Sequence, residues 1–284
     1  MPARARRTCL TVPASSERML EKAPSLAADE AIVDLEDAVA AGEKEAARAL
    51  AVTALRRGPL GRTTALRVNG RATDWWEDDL RAAAEARPDV VVLPKVESPE
   101  DVAAAAELLP EGIGLEAQIE TARGLVEAER IAAAGLTPSG RGLEALVFGP
   151  ADLAASLGVP VLTIGAGVPE YALARVVAAA RASGLQAIDG PHARLGDDLG
   201  LVVSARRALE LGYDGKWVIH PSQIEPVNLL FTPSPADVER ARRILDAAEG
   251  AARFEGELVD EASRRLAESL LRRAELLSER PSGA

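Results

Sequence analysis

The stretch DVVVLPKVESPEDVAAAAELLPEGIGLEAQIETARGLVEAERIAAA, Asp89–Ala134, decides the fold. A β-branched run, VVVLPK from Val90, leads into an alanine-rich helical stretch from Pro99 to Leu108. A second run, IGLEAQIE from Ile113, leads into another helical stretch from Ala122 to Ala134. Short apolar runs alternating with longer helical ones read as βα units on a mostly parallel sheet, and the alanines supply close packing and high helix propensity. The strands also end polar, one in Lys95 and Glu97 and the other in Glu120.

The same alternation runs outward in both directions. Further strands are read at CLTVP from Cys9, AIVDLE from Ala31, TALRVN from Thr64, ALVFG from Ala145, LQAIDG from Leu185 and KWVIHP from Lys216. Helices are read at Glu17–Ser25, Glu43–Arg57, Trp75–Ala86, Glu170–Ser183 and Asp198–Leu211. Eight strands with intervening helices predict an α/β fold of the (β/α)8 TIM barrel type over residues 1–232. No glycine fingerprint of the dinucleotide or P-loop type follows any strand, which removes the main support for an open doubly wound sheet. After Pro233 and Pro235 the chain changes character. Two charged helical segments, Ala236–Ala252 and Glu261–Leu277, joined by FEGELVDEAS, make residues 233–284 a C-terminal helical extension.

Composition narrows the function. The 284 residues are 48% apolar, yet no apolar run approaches the roughly 18–20 residues of a spanning helix, so no membrane role is expected. With 33 Lys+Arg against 44 Asp+Glu, the net charge of −11 repels nucleic acid and anionic membrane. An anionic small molecule is still allowed, because local basic residues override the global field at short range. The single cysteine, Cys9, excludes an intrachain disulfide framework and reads as a core residue. The start bearing Arg4, Arg6 and Arg7 lacks the apolar run of a signal peptide, and a cytoplasmic protein is expected.

In a barrel of this type the chemistry lies at the C-terminal ends of the strands. There the sequence places Glu36 and Asp37, Arg67 and Asn69, Lys95 and Glu97, Glu120, Asp152, Asp189 and His220. Acids converging on one mouth repel one another unless a cation sits among them, and carboxylates with water suit Mg2+ or Mn2+. Glu120 and Asp152 are the expected ligands. The alternative is that each acid caps the helix that follows it, although capping leaves Arg67 at the same mouth unexplained. In FGPADLAASLG, Gly149 reads as an N-cap and Pro150 as the first helical residue, presenting the backbone N–H groups of Ala151 and Asp152 to an anion. A 2-oxo carboxylate could rest there, chelate the metal and receive Arg67, unless Arg67 is spent on a structural ion pair. A lone histidine is more often structural, so His220 is given a binding role and no metal role. Zinc is disfavoured because the chain has too few His and Cys. Ser15 and Ser16 lack a nucleophile elbow, and Trp75 and Trp76 read as packing.

Eight segments, RRTCLTVPAS from Arg6, DLEDAV from Asp34, RVNG from Arg67, LPKVES from Leu93, IETARG from Ile119, FGPADL from Phe148, IHPSQI from Ile219 and FEGELVD from Phe254, occur in register over nearly the whole chain. In this order they resemble the citrate lyase β-subunit-like family, within the Mg-dependent acyl-CoA lyases that include malyl-CoA lyases and the HpcH/HpaI aldolase group. The resemblance implies a phosphoenolpyruvate/pyruvate-binding type of barrel, usually a homotrimer or a hexamer made of two trimers. It implies Glu120 and Asp152 as Mg2+ ligands and Arg67 as the contact to the keto acid. Glu36 and Asp37 would hold metal-bound waters, and Asp260 would be an acid/base placed by a lid from a neighbouring subunit. Lys22 with His220 and Pro221 would hold coenzyme A. Ala151 stands where an acid is common and Leu258 where Met is usual.

The reaction this implies is cleavage of a 3-hydroxy-3-carboxylate acyl thioester, foremost citryl-CoA to oxaloacetate and acetyl-CoA. Malyl-CoA or citramalyl-CoA cleavage, a malyl-CoA thioesterase and a malate synthase-type outcome are the alternatives on the same site. A reading of another class is an assembly subunit beside citrate lyase α and acyl-carrier subunits.

Overall fold

The computed structural model describes residues 4–134, 142–160, 169–246, 252–254 and 257–278, with the backbone alone for 252–254 and 257–258. It divides into two compact units, Met1–Asn228 and Leu229–Ala284. In the first, eight parallel strands close into a barrel in sequence order: β1 (Thr8–Pro13), β2 (Glu30–Asp34), β3 (Thr63–Arg67), β4 (Val90–Leu93), β5 (Gly114–Ile119), β6 (Leu143–Phe148), β7 (Gln186–Asp189) and β8 (Gly215–Val218). The helices are α1 (Glu17–Lys22), α2 (Lys44–Arg57), α3 (Trp76–Ala86), α4 (Pro99–Leu108), α5 (Ala122–Ala134), α6 (Pro150–Ser156), α7 (Glu170–Ala182), α8 (Asp198–Leu211) and α9 (Ile224–Phe231). This is the (β/α)8 architecture expected from the alternation, with all eight strands where the sequence reading put them. Short α9, directly after the last strand, was not anticipated.

The barrel closes through the pairs Thr8↔Lys216 and Cys9↔Trp217. A Cβ on Gly215 would lie 1.6 Å from the carbonyl oxygen of Arg6, so only glycine lets β8 come against the chain entering β1. Every residue of β2 to β6 is buried, as a parallel sheet covered on both faces requires. The middle of the barrel is apolar, built from Cys9, Ile32, Ala65, Val90, Val92, Ala145, Val147, Ile188 and Trp217. Its N-terminal end is ionic. The Arg6 guanidinium, wholly buried, lies 2.8 Å from Glu30, 2.8 Å from Glu116 and 2.6 Å from Glu144.

The second unit carries α10 (Pro235–Asp246) and α11 (Glu261–Ser278), which pack on each other. Between them β9 (Ala252–Phe254) and β10 (Glu257–Val259) form an antiparallel hairpin. The sequence reading has a plain connection there, since three-residue strands are too short for an alternation to register. Residues 247–251, the end of the expected helix Ala236–Ala252, and 255–256 of FEGELVD lie outside the described residues, as does the side chain of Leu258. No helix among the described residues is long and apolar enough to cross a membrane.

Candidate active site

The site is organised by Asp34, the last residue of β2. Its carboxylate accepts hydrogen bonds from the backbone N–H of Glu36 at 2.9 Å and of Ala38 at 3.2 Å, which folds the DLEDA turn and sets Glu36 over the barrel. The same carboxylate receives Arg67 Nε at 2.7 Å and Nη2 at 2.6 Å, from the register partner of Asp34 on β3. Two parallel charge-assisted bonds fix the plane of the guanidinium. Trp217 supports it, with the ring centroid 5.1 Å from Arg67 Cζ. Burial opposes the charge, but Asp34 and Glu36 hold Arg67 above its ordinary pKa. Of its nitrogens, Nη1 alone is not committed to Asp34. It lies 2.9 Å from Glu36 Oε2.

Behind the turn, Lys44 of α2 donates from Nζ to the carbonyl oxygens of Leu35 and Glu36, each at 2.7 Å. Trp75, expected to be a packing residue, lies with its ring centroid 5.2 Å from that ammonium. The turn is therefore held from both sides, by a carboxylate binding its N–H groups and an ammonium binding its carbonyls.

Glu120 follows β5 and is 1% exposed. Its Oε1 accepts the backbone N–H of Lys95 at 2.8 Å and its Oε2 accepts Gln118 Nε2 at 2.6 Å. Burial, together with the nearby Glu36 and Asp152, pushes its carboxyl up to about 8. Glu36 is also raised, by burial against the opposing pull of Arg67 and Lys95. Gly149 makes room beside Glu120, since a Cβ there would lie 2.4 Å from both Cβ and Oε2 of the glutamate. Gly149 is also the N-cap of α6 and Pro150 its first residue, as expected. They present half-buried Asp152, with exposed Ala151 beside it. Lys95 Nζ donates to Glu36 Oε1 and lies 3.8 Å from Asp37 and 3.9 Å from Asp152.

The structure thus brings together Glu36, Asp37, Arg67, Glu120 and Asp152 from the ends of four strands, β2, β3, β5 and β6. Other expected members of the mouth are committed elsewhere. Asn69 donates from its backbone and side chain to Asp79, at 2.9 and 2.6 Å. Asp189 takes the Nζ of Lys216, which also donates to the Gly190 carbonyl at 2.6 Å. His220 is exposed and caps a short turn, its Nδ1 accepting the Ser222 N–H at 3.2 Å, with Pro221 next to it. Lys22 ends α1, exposed. No hydrogen bond or ion pair joins Lys22 to the IHPSQI turn among the described residues. In the second unit, Asp260 is exposed and caps α11 by accepting the Ser263 N–H at 3.0 Å, a bond that holds its carboxyl below the usual range. The sequence reading gave no part to Asp34, Lys44 or Gln118. Asp34 was within reach, since it stands at the end of β2 opposite Arg67 at the end of β3.

The mouth can bind a cation through oxygen. Its carboxylates, Glu36, Asp37, Glu120 and Asp152, outnumber the ammonium of Lys95 and the guanidinium of Arg67 among them. Of these carboxylates Arg67 pairs with Glu36, while Asp37, Glu120 and Asp152 form no ion pair with it among the described residues. Among the described residues no group of three or more His, Cys, Asp or Glu side chains is gathered as a full ligand set, so water would complete the coordination, as Mg2+ commonly requires.

Comparison with known proteins places this geometry. Residues 7–221 match the HpcH/HpaI aldolase/citrate lyase family. The chain is 42% identical over 252 residues to a (3S)-malyl-CoA thioesterase of Cereibacter sphaeroides, covering 87% of this chain and 84% of that one. It is 37% identical over 313 residues to an L-malyl-CoA/beta-methylmalyl-CoA lyase of the same organism, covering 98% and 97%. Among solved structures it is similar to CitE of Mycobacterium tuberculosis in complex with magnesium, acetoacetate and coenzyme A, with 36% identity and a TM-score of 0.78 over 95% of this chain and 98% of that one. The fold and the extent of these matches agree: the chain belongs to the HpcH/HpaI aldolase/citrate lyase family.

Proposed function

We propose that the protein is a Mg2+-dependent carbon–carbon lyase acting on an acyl-CoA that bears a hydroxyl and a carboxylate on its third carbon, releasing a 2-oxo acid and a shorter acyl-CoA. The observation that carries this reading is the mouth itself, where a fixed guanidinium faces a set of carboxylates short of positive charge. The acyl-CoA substrates of the relatives, malyl-CoA and beta-methylmalyl-CoA, and the magnesium, acetoacetate and coenzyme A bound to CitE support it.

Glu120 and Asp152 would hold the cation, with Glu36 and Asp37 turned to its waters. When bound, Mg2+ (or Mn2+) supplies Lewis-acid stabilisation of the oxygen that becomes the keto group. Arg67, pinned by Asp34 and Trp217, offers Nη1 to the same keto acid. In the cleavage direction a carboxylate of the mouth takes the hydroxyl proton. The O–H pair becomes the carbonyl π bond, and the pair of the breaking C–C bond passes to the thioester enolate. Asp260, brought by a neighbouring subunit of a homotrimer or hexamer, returns a proton to that enolate. Asp260 takes that proton from solvent before the step and is left as the carboxylate, the form that takes the methyl proton in the condensing direction. Lys22, His220 and Pro221 would hold the coenzyme A. We place the reaction in the cytoplasm.

Citryl-CoA, giving oxaloacetate and acetyl-CoA, is the first substrate to test. Malyl-CoA is the second, favoured by the names of both curated relatives, one of them a thioesterase. Purified protein would be assayed with citryl-, malyl- and citramalyl-CoA, following keto acid and free CoA separately. Keto acid release that needs Mg2+ and disappears in Glu120→Ala is expected. Free CoA without keto acid would overturn the lyase in favour of a hydrolase.

A further inference from the structure

Lys95 has no part in the reaction proposed above, yet its backbone is held in an unusual conformation at the mouth. Its backbone is left-handed, φ 52°, a conformation that L side chains rarely adopt. The other non-glycine residue of this kind among the described residues, Arg87 at φ 53°, is the C-cap of α3, where left-handed backbone is ordinary. Lys95 ends no helix. Its conformation turns its own N–H onto Glu120 at 2.8 Å and sends Nζ across the mouth to Glu36, within 3.8 Å of Asp37 and 3.9 Å of Asp152. One residue thus touches all four carboxylates, three through its ammonium and the fourth through its backbone. The residue type matters, because the sequence has four lysines against 29 arginines (33 Lys+Arg in all). An ammonium is a compact point charge on a flexible stem, close in character to a small cation, whereas a guanidinium would lock one carboxylate in a planar fork.

We propose that Lys95 is a tethered place-holder for the divalent cation: its ammonium keeps Glu36, Asp37 and Asp152 assembled while no metal is bound, and yields its hold on Asp152 when metal arrives. Lys95 is a positioning residue in this account. The inference rests on the reading that the mouth takes Mg2+.

The test uses full-length protein with Mn2+ as the probe, its binding followed by electron paramagnetic resonance and by calorimetry, in wild type, Lys95→Met and Lys95→Arg. Removing a unit charge from within a few ångströms of the site should tighten Mn2+ binding by at least about tenfold in Lys95→Met. Lys95→Arg should bind Mn2+ more weakly than wild type, by at least about threefold, since the charge remains and a planar fork gives up its carboxylate less readily than an ammonium does. Thermal stability of Lys95→Met should fall more without Mn2+ than with it, because the metal replaces the lost charge. A Met variant that folds only in Mn2+ would support the proposal equally, and one that stays unfolded in saturating Mn2+ would overturn it. Unchanged or weaker Mn2+ binding in Lys95→Met, with wild type binding normally, sinks the place-holder alone. A wild type that binds no Mn2+ sinks the metal reading and this inference together.

Discussion

Replacing Gly149 by alanine tests how tightly the end of β6 is fitted to Glu120. The added methyl would lie 2.4 Å from Glu120 Cβ and from Oε2, and the first of these sits next to the backbone, not at the end of a swinging chain. Carbon atoms in contact prefer about 3.5–4.0 Å, so a gap of at least about 1 Å must open between the ends of β5 and β6. Gly149 is tied to β5 by its N–H on the Ile119 carbonyl at 3.1 Å, which resists that opening. Overpacking of this kind costs about 1–3 kcal/mol, or roughly 2–5 °C in Tm for a protein of this size. Moving the Glu120 carboxylate by about 1 Å should cost on the order of a hundredfold in kcat/KM. Scanning fluorimetry, Mn2+ binding and turnover read the three effects. Gly42→Ala is the control, since nothing lies within 4 Å of its Cβ and its backbone is unstrained. A Gly149→Ala protein with the melting temperature and Mn2+ affinity of wild type would refute the close fit.

Two further outcomes follow from the buried ion pairs. Asp34→Asn weakens both bonds that hold Arg67, and breaking a buried pair costs about 3–5 kcal/mol. The double variant Asp34→Leu/Arg67→Met should regain part of that stability in urea unfolding but no activity, and equal losses in both proteins would contradict the assignment. At the barrel floor, burial and Glu30 push Glu116 up to about 8 despite Arg6. A carboxyl raised by folding keeps its proton where the unfolded chain has lost it. Stability is therefore full below the ordinary glutamate range and falls as pH rises from there through about 8. Wild-type Tm should drop between pH 5 and 9 and the slope should flatten in Glu116→Gln. An unchanged slope would show that Glu116 is not the group.

How much was legible depended on the range of the signal. The eight strands and most of the helices could be read because each is a local periodicity, and the parallel order follows from alternation. The strands Ala252–Phe254 and Glu257–Val259 are too short to show, and α9 comes after β8 through Ile219–Gln223, a stretch that reads as loop. Asp34 illustrates what one chain conceals at the site. In the strand read from the sequence, AIVDLE from Ala31, Glu36 and Asp37 stand at the end that faces the mouth while Asp34 falls inside the run. Its importance comes from a partner 33 residues away, visible only once β2 and β3 are in register. Lys95 was noticed at a strand end, but its reach across the mouth depends on a left-handed backbone that no residue type announces.

The ionic floor of the barrel has a kinetic consequence. With Arg6 knotted to Glu30, Glu116 and Glu144 below, and an apolar plug above them, the barrel is a cup and not a pipe. A cup fills and empties through one rim. Whatever settles deepest, against Arg67 and Glu120, has to load before anything held nearer the edge and leave after it. On the proposed reaction this imposes an order of release, thioester first and keto acid last. The rate at which the small product escapes then sets how soon the next large one can be received.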